Sequence, residues 1–381
     1  MLYRQFPKIP NKKISTLGMG LMRLPVLEGD ATRIDYPAAE AALMAAIDAG
    51  INYIDTAYVY HGQKSEVFAG DVLSKHGIRD KVYLATKCPV WMVQAEADWD
   101  RLLNEQLARL KTDRIDFYLM HALNAERWDI ILKHRGLQFL ERAKKEGRIG
   151  HIGFSFHAPS KVFKTIIQGY DYWDFCQVQY NYLDTEYQAG LAGIELAAER
   201  HVGVVVMEPL RGGALVRLPE PAKAFFDATG IKRSPADWGL RYALNHPNAI
   251  TALSGMGKIE EVKENAATAS VAEPVSLKAE EKKAFIQVAA WFKNRMPVPC
   301  TTCGYCMPCP HGVEIPDVFA LYNGSVAFDA KKDRAPWYKK GYVDQNKGGN
   351  ACAACGECLP KCPQGIQIIE KLAEAHEYLT T

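Results

Sequence analysis

Residues 115–121 read I-D-F-Y-L-M-H. The run is almost wholly apolar and β-branched or aromatic at most positions, and it stops at a histidine. It is one of a series: I-S-T-L-G-M (14–19), I-N-Y-I-D-T (51–56), K-V-Y-L-A-T-K (81–87), H-I-G-F-S-F (151–156), F-C-Q-V-Q-Y-N (175–181), V-G-V-V-V-M-E (202–208) and A-I-T-A-L-S-G (249–255). Near-continuous hydrophobicity of this kind suits strands buried on both faces. Stretches of helical period lie between most of them, including A-A-E-A-A-L-M-A-A-I-D-A-G with its terminal capping glycine, D-W-D-R-L-L-N-E-Q-L-A-R-L, L-Q-F-L-E-R-A-K-K-E-G and G-L-A-G-I-E-L-A-A-E-R. Strands alternating with helices over about 250 residues predict a (β/α)8 barrel. An open doubly wound sheet is the alternative, and the lack of a G-x-G-x-x-G after the first strand counts against it. Segment 21–36 is read as decoration on the barrel.

The chain has 381 residues, 48% of them hydrophobic, and a formal net charge of +2. That is enough for one large domain and a smaller one, with ample material for a core. No long basic or acidic run is present, so charge offers no case for nucleic acid or a membrane surface. No stretch approaches the length of a transmembrane span, and the first residues, M-L-Y-R-Q-F-P-K-I-P, lack an apolar signal core. A soluble cytoplasmic protein is expected.

In such a barrel, chemistry gathers at the C-terminal ends of the strands. Those ends carry Asp55, Lys87, His121, Ser155, Gln177 and Glu208. Each alone reads as a helix cap or a solvated rim residue. Polar residues closing several apolar strands in succession are harder to explain that way.

The stretch D-T-A-Y-V-Y places Tyr60 five residues after Asp55; L-A-T-K supplies Lys87 and Y-L-M-H supplies His121. This ordered set resembles the catalytic tetrad of the aldo-keto reductases. The opening L-G-M-G-L-M-R-L-P (17–25), G-F-S (153–155), Q-V-Q-Y-N (177–181), E-P-L-R-G-G (208–213) and K-E-N (263–265) are similar to that family as well, so the likeness spans roughly residues 1–270. The resemblance implies hydride transfer between NADP or NAD and a small carbonyl substrate. It makes Tyr60 the acid, Lys87 its cationic neighbour, Asp55 the partner that holds Lys87, and His121 the group that orients the carbonyl. Charge builds on the carbonyl oxygen as hydride arrives, so the oxygen needs a proton donor and fixed hydrogen bonds. A cation beside a tyrosine favours its phenolate. The nucleotide contacts implied are Ser155, Gln177, Met207, Pro209, Leu210, Gly212, Gly255, Lys258, Glu264 and Asn265, with Ser155 and Gln177 on the nicotinamide carboxamide.

Three positions depart from the family pattern. Phe156 and His157 follow Ser155 where an Asn is common. Met207 stands where an aromatic often stacks on the nicotinamide. Glu261 stands three residues before Glu264-Asn265, where many NADP-dependent members have an arginine. Glu261 would repel a 2′-phosphate, whereas Lys258 and Lys263 are near enough to compensate, so NADH and NADPH both stay open. Met22, Trp91, Phe156 and Tyr182 are candidate lining residues of an aromatic, apolar pocket, and Arg23 and Arg211 are candidates to meet an anionic substrate or the cofactor phosphates.

The tail differs. Of ten cysteines, eight fall in two runs, Cys300, Cys303, Cys306, Cys309 and Cys352, Cys355, Cys358, Cys362, each ending in Cys-Pro. Cys88 and Cys176 are read as plain barrel residues. Zinc is usually held by two separated C-x2-C pairs. C-x2-C-x2-C-x3-C-P at 352–363 instead matches the bacterial two-cluster ferredoxin run, in which the fourth cysteine crosses to the other cluster. One [4Fe–4S] cluster is therefore expected on Cys300, Cys303, Cys306 and Cys362, and the other on Cys352, Cys355, Cys358 and Cys309. The insert 310–351, with its helical I-P-D-V-F-A-L-Y-N, resembles the helical ferredoxin domains of larger redox enzymes. The expected organisation is a reductase barrel over 1–270 and a helical linker with ferredoxin-like domain over 271–381. The clusters either stabilise the tail or pass electrons to a partner. A flavin mediator is conceivable, but no flavin signature is present. The competing reading is an electron-transfer or redox-sensing protein on a reductase scaffold.

Overall fold

The computed structural model describes residues 1–300, 302 and 304–381. It divides into two compact units, 1–216 with 233–277 and 217–232 with 278–381.

In the first unit, β1 (Tyr3–Phe6) and β2 (Ile9–Ser15) form an antiparallel hairpin. Then β3 (Leu17–Gly20), α1 (Tyr36–Asp48), β4 (Tyr53–Asp55), α2 (Ser65–Lys75), β5 (Tyr83–Cys88), α3 (Ala97–Arg109), β6 (Ile115–Leu123), α4 (Ala125–Lys133), α5 (Gly136–Lys145), β7 (Ile149–Phe156), α6 (Ser160–Gln168), β8 (Phe175–Gln179), α7 (Gly190–Glu199) and β9 (Gly203–Met207) follow. After α8 (Glu220–Asp227), which belongs to the second unit, the first unit ends with α9 (Pro235–Leu244), β10 (Ala249–Ser254) and α10 (Ile259–Ala269). Among the described residues, β3 to β10 close into one barrel in which each strand pairs in parallel with the next and β10 returns to β3. The (β/α)8 expectation is met. The segment 14–19 was expected as one strand; it divides at Thr16 between the hairpin and the barrel. Thr16 donates its backbone N–H to Leu2 and accepts from Ala252, so the chain changes partner sheet at that residue.

Strand parity decides which side chains face where. Successive residues on a strand point to opposite faces. Tyr53, Ala85, Phe117, Leu119, Phe175 and Val205 pack with Phe6, Ile9 and Ile14 of the hairpin in one buried cluster, the barrel interior. Phe6 closes it, its ring 5.4 Å from Phe117 and 5.7 Å from Phe175. Their neighbours Ile54, Leu84, Tyr118, Met120, Cys176, Val204 and Val206 belong to a second cluster shared with the helices. Continuing the interior parity one step towards each strand's C-terminal end brings in Asp55, Lys87, His121, Ser155, Gln177 and Met207.

In the second unit, α8 packs on α11 (Ala279–Arg295), with the Phe226 and Phe285 rings 5.2 Å apart. Beyond lie α12 (Ile315–Ala327), α13 (Lys331–Tyr338) and α14 (Ile368–Thr380). Val313, Ile315, Val318, Phe319, Tyr322, Ile368, Leu372 and Leu379 form its buried core, with Cys300, Cys306, Cys309, Cys352, Cys358 and Cys362 at its edge. None of the described helices is long and apolar enough to cross a membrane.

Candidate functional site

The barrel mouth gathers the four tetrad candidates. Lys87, only 1% exposed, donates from Nζ to Asp55 Oδ1 at 2.6 Å, to the Thr56 carbonyl at 2.8 Å and to the Tyr60 hydroxyl at 3.3 Å. The His121 ring lies edge-on to Tyr60 at 6.1 Å. β4, β5 and β6 are successive strands of the barrel, which is why residues so far apart in sequence meet. Burial acts to lower the Lys87 pKa, but Asp55 and Tyr60 outweigh it and leave Lys87 above the ordinary lysine value. Burial pushes Asp55 up more than Lys87 pulls it down, so it ends above the ordinary carboxylate value; the 2.6 Å contact between them is a charge-assisted bond.

Tyr60 behaves differently from the sequence expectation of a lowered pKa. Lys87 does pull it down, but burial is the larger influence, and Tyr60 ends above the ordinary tyrosine value, with Asp55 and Glu208 adding to the rise. The hydroxyl is thus fully protonated at neutral pH, as a proton donor must be. His121 is driven well below the ordinary histidine value by burial first and then by the charges of Lys87, His157 and Arg127. It is neutral, and its Nδ1 is buried without a hydrogen-bond partner.

Of the expected nucleotide contacts, Ser155, Gln177 and Met207 lie together on the strand ends β7, β8 and β9. Ser155 is paired with Gln177 in the sheet register. Gln177 places Nε2 3.8 Å from Met207 Sδ, and its Oε1 is buried with no partner. A buried carboxamide acceptor left open fits a ligand that brings an N–H donor, as a nicotinamide carboxamide does. Ser155 Oγ accepts from the Ala122 N–H at 2.7 Å. Pro209 is buried and Leu210 packs against Gly239. Gly212 and Gly255 both make room for Arg23: a Cβ would stand 2.8 Å from its Nη2 at the first and 2.9 Å from its Cβ at the second. Lys258, just before α10, and Glu264 on it are exposed, while Asn265 is buried and donates to Ser254 Oγ at 3.2 Å. Glu261 accepts the Gly257 N–H at 2.9 Å, so its carboxylate occupies the N-terminal end of α10.

Some pocket candidates lie elsewhere. Met22 and Trp91 are exposed, but Phe156 has the outward parity and packs on Phe163 of α6 at 5.2 Å. Tyr182 is buried, its ring 6.0 Å from Tyr242. Arg211 donates from Nε to Asp184 at 3.1 Å, and Asp184 also receives Gln179 and Asn181. Cys88 and Cys176 sit in the barrel–helix layer, where burial raises both thiols.

A supporting network went unread in the sequence. The fully buried Glu66 accepts from Thr86 and from Gln106, both at 2.6 Å, and Gln106 reaches the Lys87 carbonyl at 3.1 Å. The signal for it was polar: Glu66 and Gln106 lie on the inward faces of α2 and α3, where an apolar residue is expected.

In the second unit the cysteines border two concavities. Cys309, Cys352, Cys355 and Cys358 line one. Cys300 and Cys362 line another, and Cys306 borders both. Cys303 lies outside the described residues. The two runs repeat in backbone as well as sequence: Gly304 and Gly356 follow matching cysteines with φ of 75° and 79°, and Gly312 and Gly365 follow the Cys-Pro pairs with 76° and 63°. A Cβ disfavours those turns. Burial raises the Cys358 thiol, and the nearby charges of Cys352, Cys355 and Cys309 raise it further. Thr302 donates its N–H to Cys300 Sγ at 3.4 Å. Among the described residues no three such side chains converge on a single metal-ion position; the thiols surround spaces instead.

Comparison with known proteins agrees with this picture. The sequence model of the aldo/keto reductase family matches residues 16–276, and that of a 4Fe-4S dicluster domain matches 299–367. The uncharacterized oxidoreductase YqkF of Bacillus subtilis is 29% identical over 66% of this chain and 86% of its own. L-galactose dehydrogenase of Arabidopsis thaliana is 24% identical over 70% and 88%. Among solved structures, the holo form of aldo-keto reductase AKR11C1 from Bacillus halodurans matches with a TM-score of 0.62 at 27% identity, covering 76% of this chain and 96% of that one. A Klebsiella pneumoniae aldo/keto reductase in complex with NADP and acetate matches with a TM-score of 0.59 at 25% identity, over 73% and 92%. The chain belongs to the aldo/keto reductase family and carries a 4Fe-4S dicluster domain in its tail.

Proposed function

We propose that the protein is a cytoplasmic, NAD(P)H-dependent carbonyl reductase whose tail binds two [4Fe–4S] clusters. The observation that carries the reading is the buried Lys87 ammonium, 2.6 Å from Asp55 and 3.3 Å from the hydroxyl of a protonated Tyr60. The nicotinamide, when bound, supplies the hydride. Tyr60 gives its proton to the carbonyl oxygen as negative charge develops there. Lys87 steadies the phenolate that remains, and Asp55 keeps Lys87 charged and in place. His121, neutral, donates one hydrogen bond to the same oxygen and fixes the carbonyl's direction. The open Gln177 Oε1 and the Ser155–Ala122 contact support a carboxamide seat beside them. The intact buried arrangement of Lys87, Asp55 and Tyr60 favours an enzyme over a retired scaffold.

For the tail, the grouping of Cys309 with Cys352, Cys355 and Cys358, and of Cys300 with Cys362, with Cys306 on the border of both, supports the crossed ligand set. Cys303 completes the second group in this reading. Iron–sulfur clusters supply one-electron chemistry and, by binding several thiolates, folding energy. A reducing cytoplasm keeps those thiols available. The partners are a small carbonyl compound and, where the clusters are redox-active, an electron carrier.

The test is a visible spectrum of protein purified without oxygen, before and after NADPH and then NADH. Brown absorbance, with nucleotide consumed only on adding an aldehyde, is the expected result for a reductase with a structural tail. Bleaching by nucleotide alone assigns the clusters to electron transfer. A colourless protein containing zinc sinks the cluster assignment, and failure to oxidise either nucleotide with any aldehyde sinks the reductase reading.

A further inference from the structure

The side chains beside His121 carry more than the tetrad requires. Trp91, 39% exposed, places its ring 5.3 Å from that of His121. On the Trp91 ring lies the guanidinium of Arg127, with Cζ 4.6 Å from the centroid. Arg127 is the third residue of α4, and its N–H is capped by Asn124 Oδ1 at 2.8 Å. Its Nη1 donates to the Ala122 carbonyl at 2.5 Å. Ala122 follows His121 directly and holds a left-handed φ of 51°, its N–H being tied to Ser155. One end of Arg127 is thus fixed on the backbone next to the catalytic histidine, and its plane is fixed on an indole.

A guanidinium has five donors, and the carbonyl of Ala122 uses one. Among the described residues no carboxylate lies within ion-pair distance of Arg127; only the adjacent Glu126 acts on it electrostatically. The ammonium of Lys87 is already committed to Asp55, Thr56 and Tyr60. Arg127 is therefore a partly desolvated cation with spare donors, held rigidly near the reacting centre. Its charge reaches that centre, since it helps depress His121. A preorganised fork of this kind matches a planar or tetrahedral oxyanion, and little side-chain freedom is lost in binding one.

We propose that the preferred substrates are carbonyl compounds carrying an anionic group, carboxylate or phosphate, which Arg127 binds while the carbonyl meets Tyr60 and His121 and the carbon frame lies along Trp91. The inference rests on the reductase reading, because it assigns a substrate class to the same site. A purely backbone role for Arg127, holding the Ala122 carbonyl, is the competing explanation, and the two differ in what a charged substrate feels.

Steady-state reduction by the holoprotein is measured with 4-carboxybenzaldehyde, 4-formylphenyl phosphate and the uncharged methyl 4-formylbenzoate, in wild type, Arg127→Lys and Arg127→Gln. In wild type, kcat/KM for at least one anion exceeds that for the ester by roughly 10- to 100-fold, carried by KM, as a charge-assisted contact predicts. The ratio collapses towards one in Arg127→Gln and survives in part in Arg127→Lys. The anion with the lower KM identifies carboxylate or phosphate as the natural group. A wild-type ratio near one overturns the proposal. So does a fall in kcat of equal size for anion and ester in Arg127→Gln, which assigns the residue to positioning Ala122. If the wild type reduces none of the three with either nucleotide, the reductase reading itself fails, an outcome distinct from both.

Discussion

Replacing Lys87 by methionine removes the charge and keeps most of the volume. At the 3.3 Å separation of Nζ from the Tyr60 hydroxyl, and with an effective dielectric of about 20, a full ammonium–phenolate attraction amounts to roughly 5 kcal/mol. A transition state in which Tyr60 has lost about half its proton feels about half of that. The barrier then rises by roughly 2.5 kcal/mol, or ~70-fold in the chemical step. The substitution also strands Asp55, which is buried with Oδ2 already lacking a partner, and breaking a buried pair costs about 3–5 kcal/mol of stability. Asp55→Asn added to Lys87→Met relieves that cost without restoring the cation, so the double variant regains stability but not rate. The sign of the pH effect follows. In Lys87→Met, Asp55 keeps its upward push from burial and loses the opposing pull of Lys87, so its folded value climbs further above the unfolded value of about 4. An acid raised in the folded state makes stability highest at low pH and loses it as pH rises through that window. Single-turnover hydride transfer to an uncharged aldehyde, with thermal melts between pH 5 and 8, measures both quantities. A rate loss below ~5-fold, or a double variant that recovers the rate, refutes the role given to Lys87. A Tyr60 alkaline limb that moves to lower pH refutes it too, since removing a cation can only raise a phenol's pKa.

Other predictions address separate parts of the chain. Because His121 is held neutral by burial and by Lys87, kcat/KM for an uncharged aldehyde stays flat between pH 6 and 9 (roughly the range around a free histidine); an acid limb near 6.5 shows the depression is wrong. Cys309→Ala and Cys355→Ala, which border the same concavity, each reduce iron from about eight to about four per chain and leave the same residual EPR signal. Different residual signals break the crossed ligand set. Gly153→Ala puts a Cβ 2.5 Å from the Phe175 ring, which Phe6 and Phe117 hold at 5.7 and 5.2 Å. Destabilisation of about 1–3 kcal/mol by denaturant titration, with iron content unaltered, is expected; a neutral effect means the ring can move.

The barrel was legible because its strands are buried on both faces and announce themselves as apolar runs. The β1–β2 hairpin was not, because I-P-N-K-K-I-S in β2 has exposed polar residues between its buried ones. The proposed tetrad was legible as an ordered motif and gains its physical reason from parity, since Asp55, Lys87 and His121 share the interior face with Tyr53, Ala85 and Leu119. The same parity shows why Phe156 failed as a pocket residue. Sequence distance alone did not reveal that Arg211 would be engaged by Asp184 or that burial would outweigh Lys87 at Tyr60. Both depend on which groups surround a side chain in space.

Backbone strain completes the account of the site. Non-glycine residues rarely hold positive φ, and where they do the surrounding contacts must over-determine them. Ala122 follows His121 at φ 51°, Glu208 follows Met207 at 53°, and His61 follows Tyr60 at 51°. Each stands immediately after a residue proposed for catalysis or cofactor binding. The restraints are visible: Ser155 and Arg127 hold Ala122, the Asn181 amide holds the Glu208 carbonyl at 3.2 Å, and the His61 ring bonds to the Ala31 carbonyl at 2.7 Å and accepts the Leu24 N–H at 3.3 Å. The Glu208 turn comes directly after β9, the Ala122 turn falls inside β6 one residue before its end, and the His61 turn lies in the loop that follows β4. Two of the groups that enforce them, Ser155 and Arg127, are also proposed to meet the cofactor and the substrate, so strain at Ala122 and recognition of ligands are maintained by the same side chains.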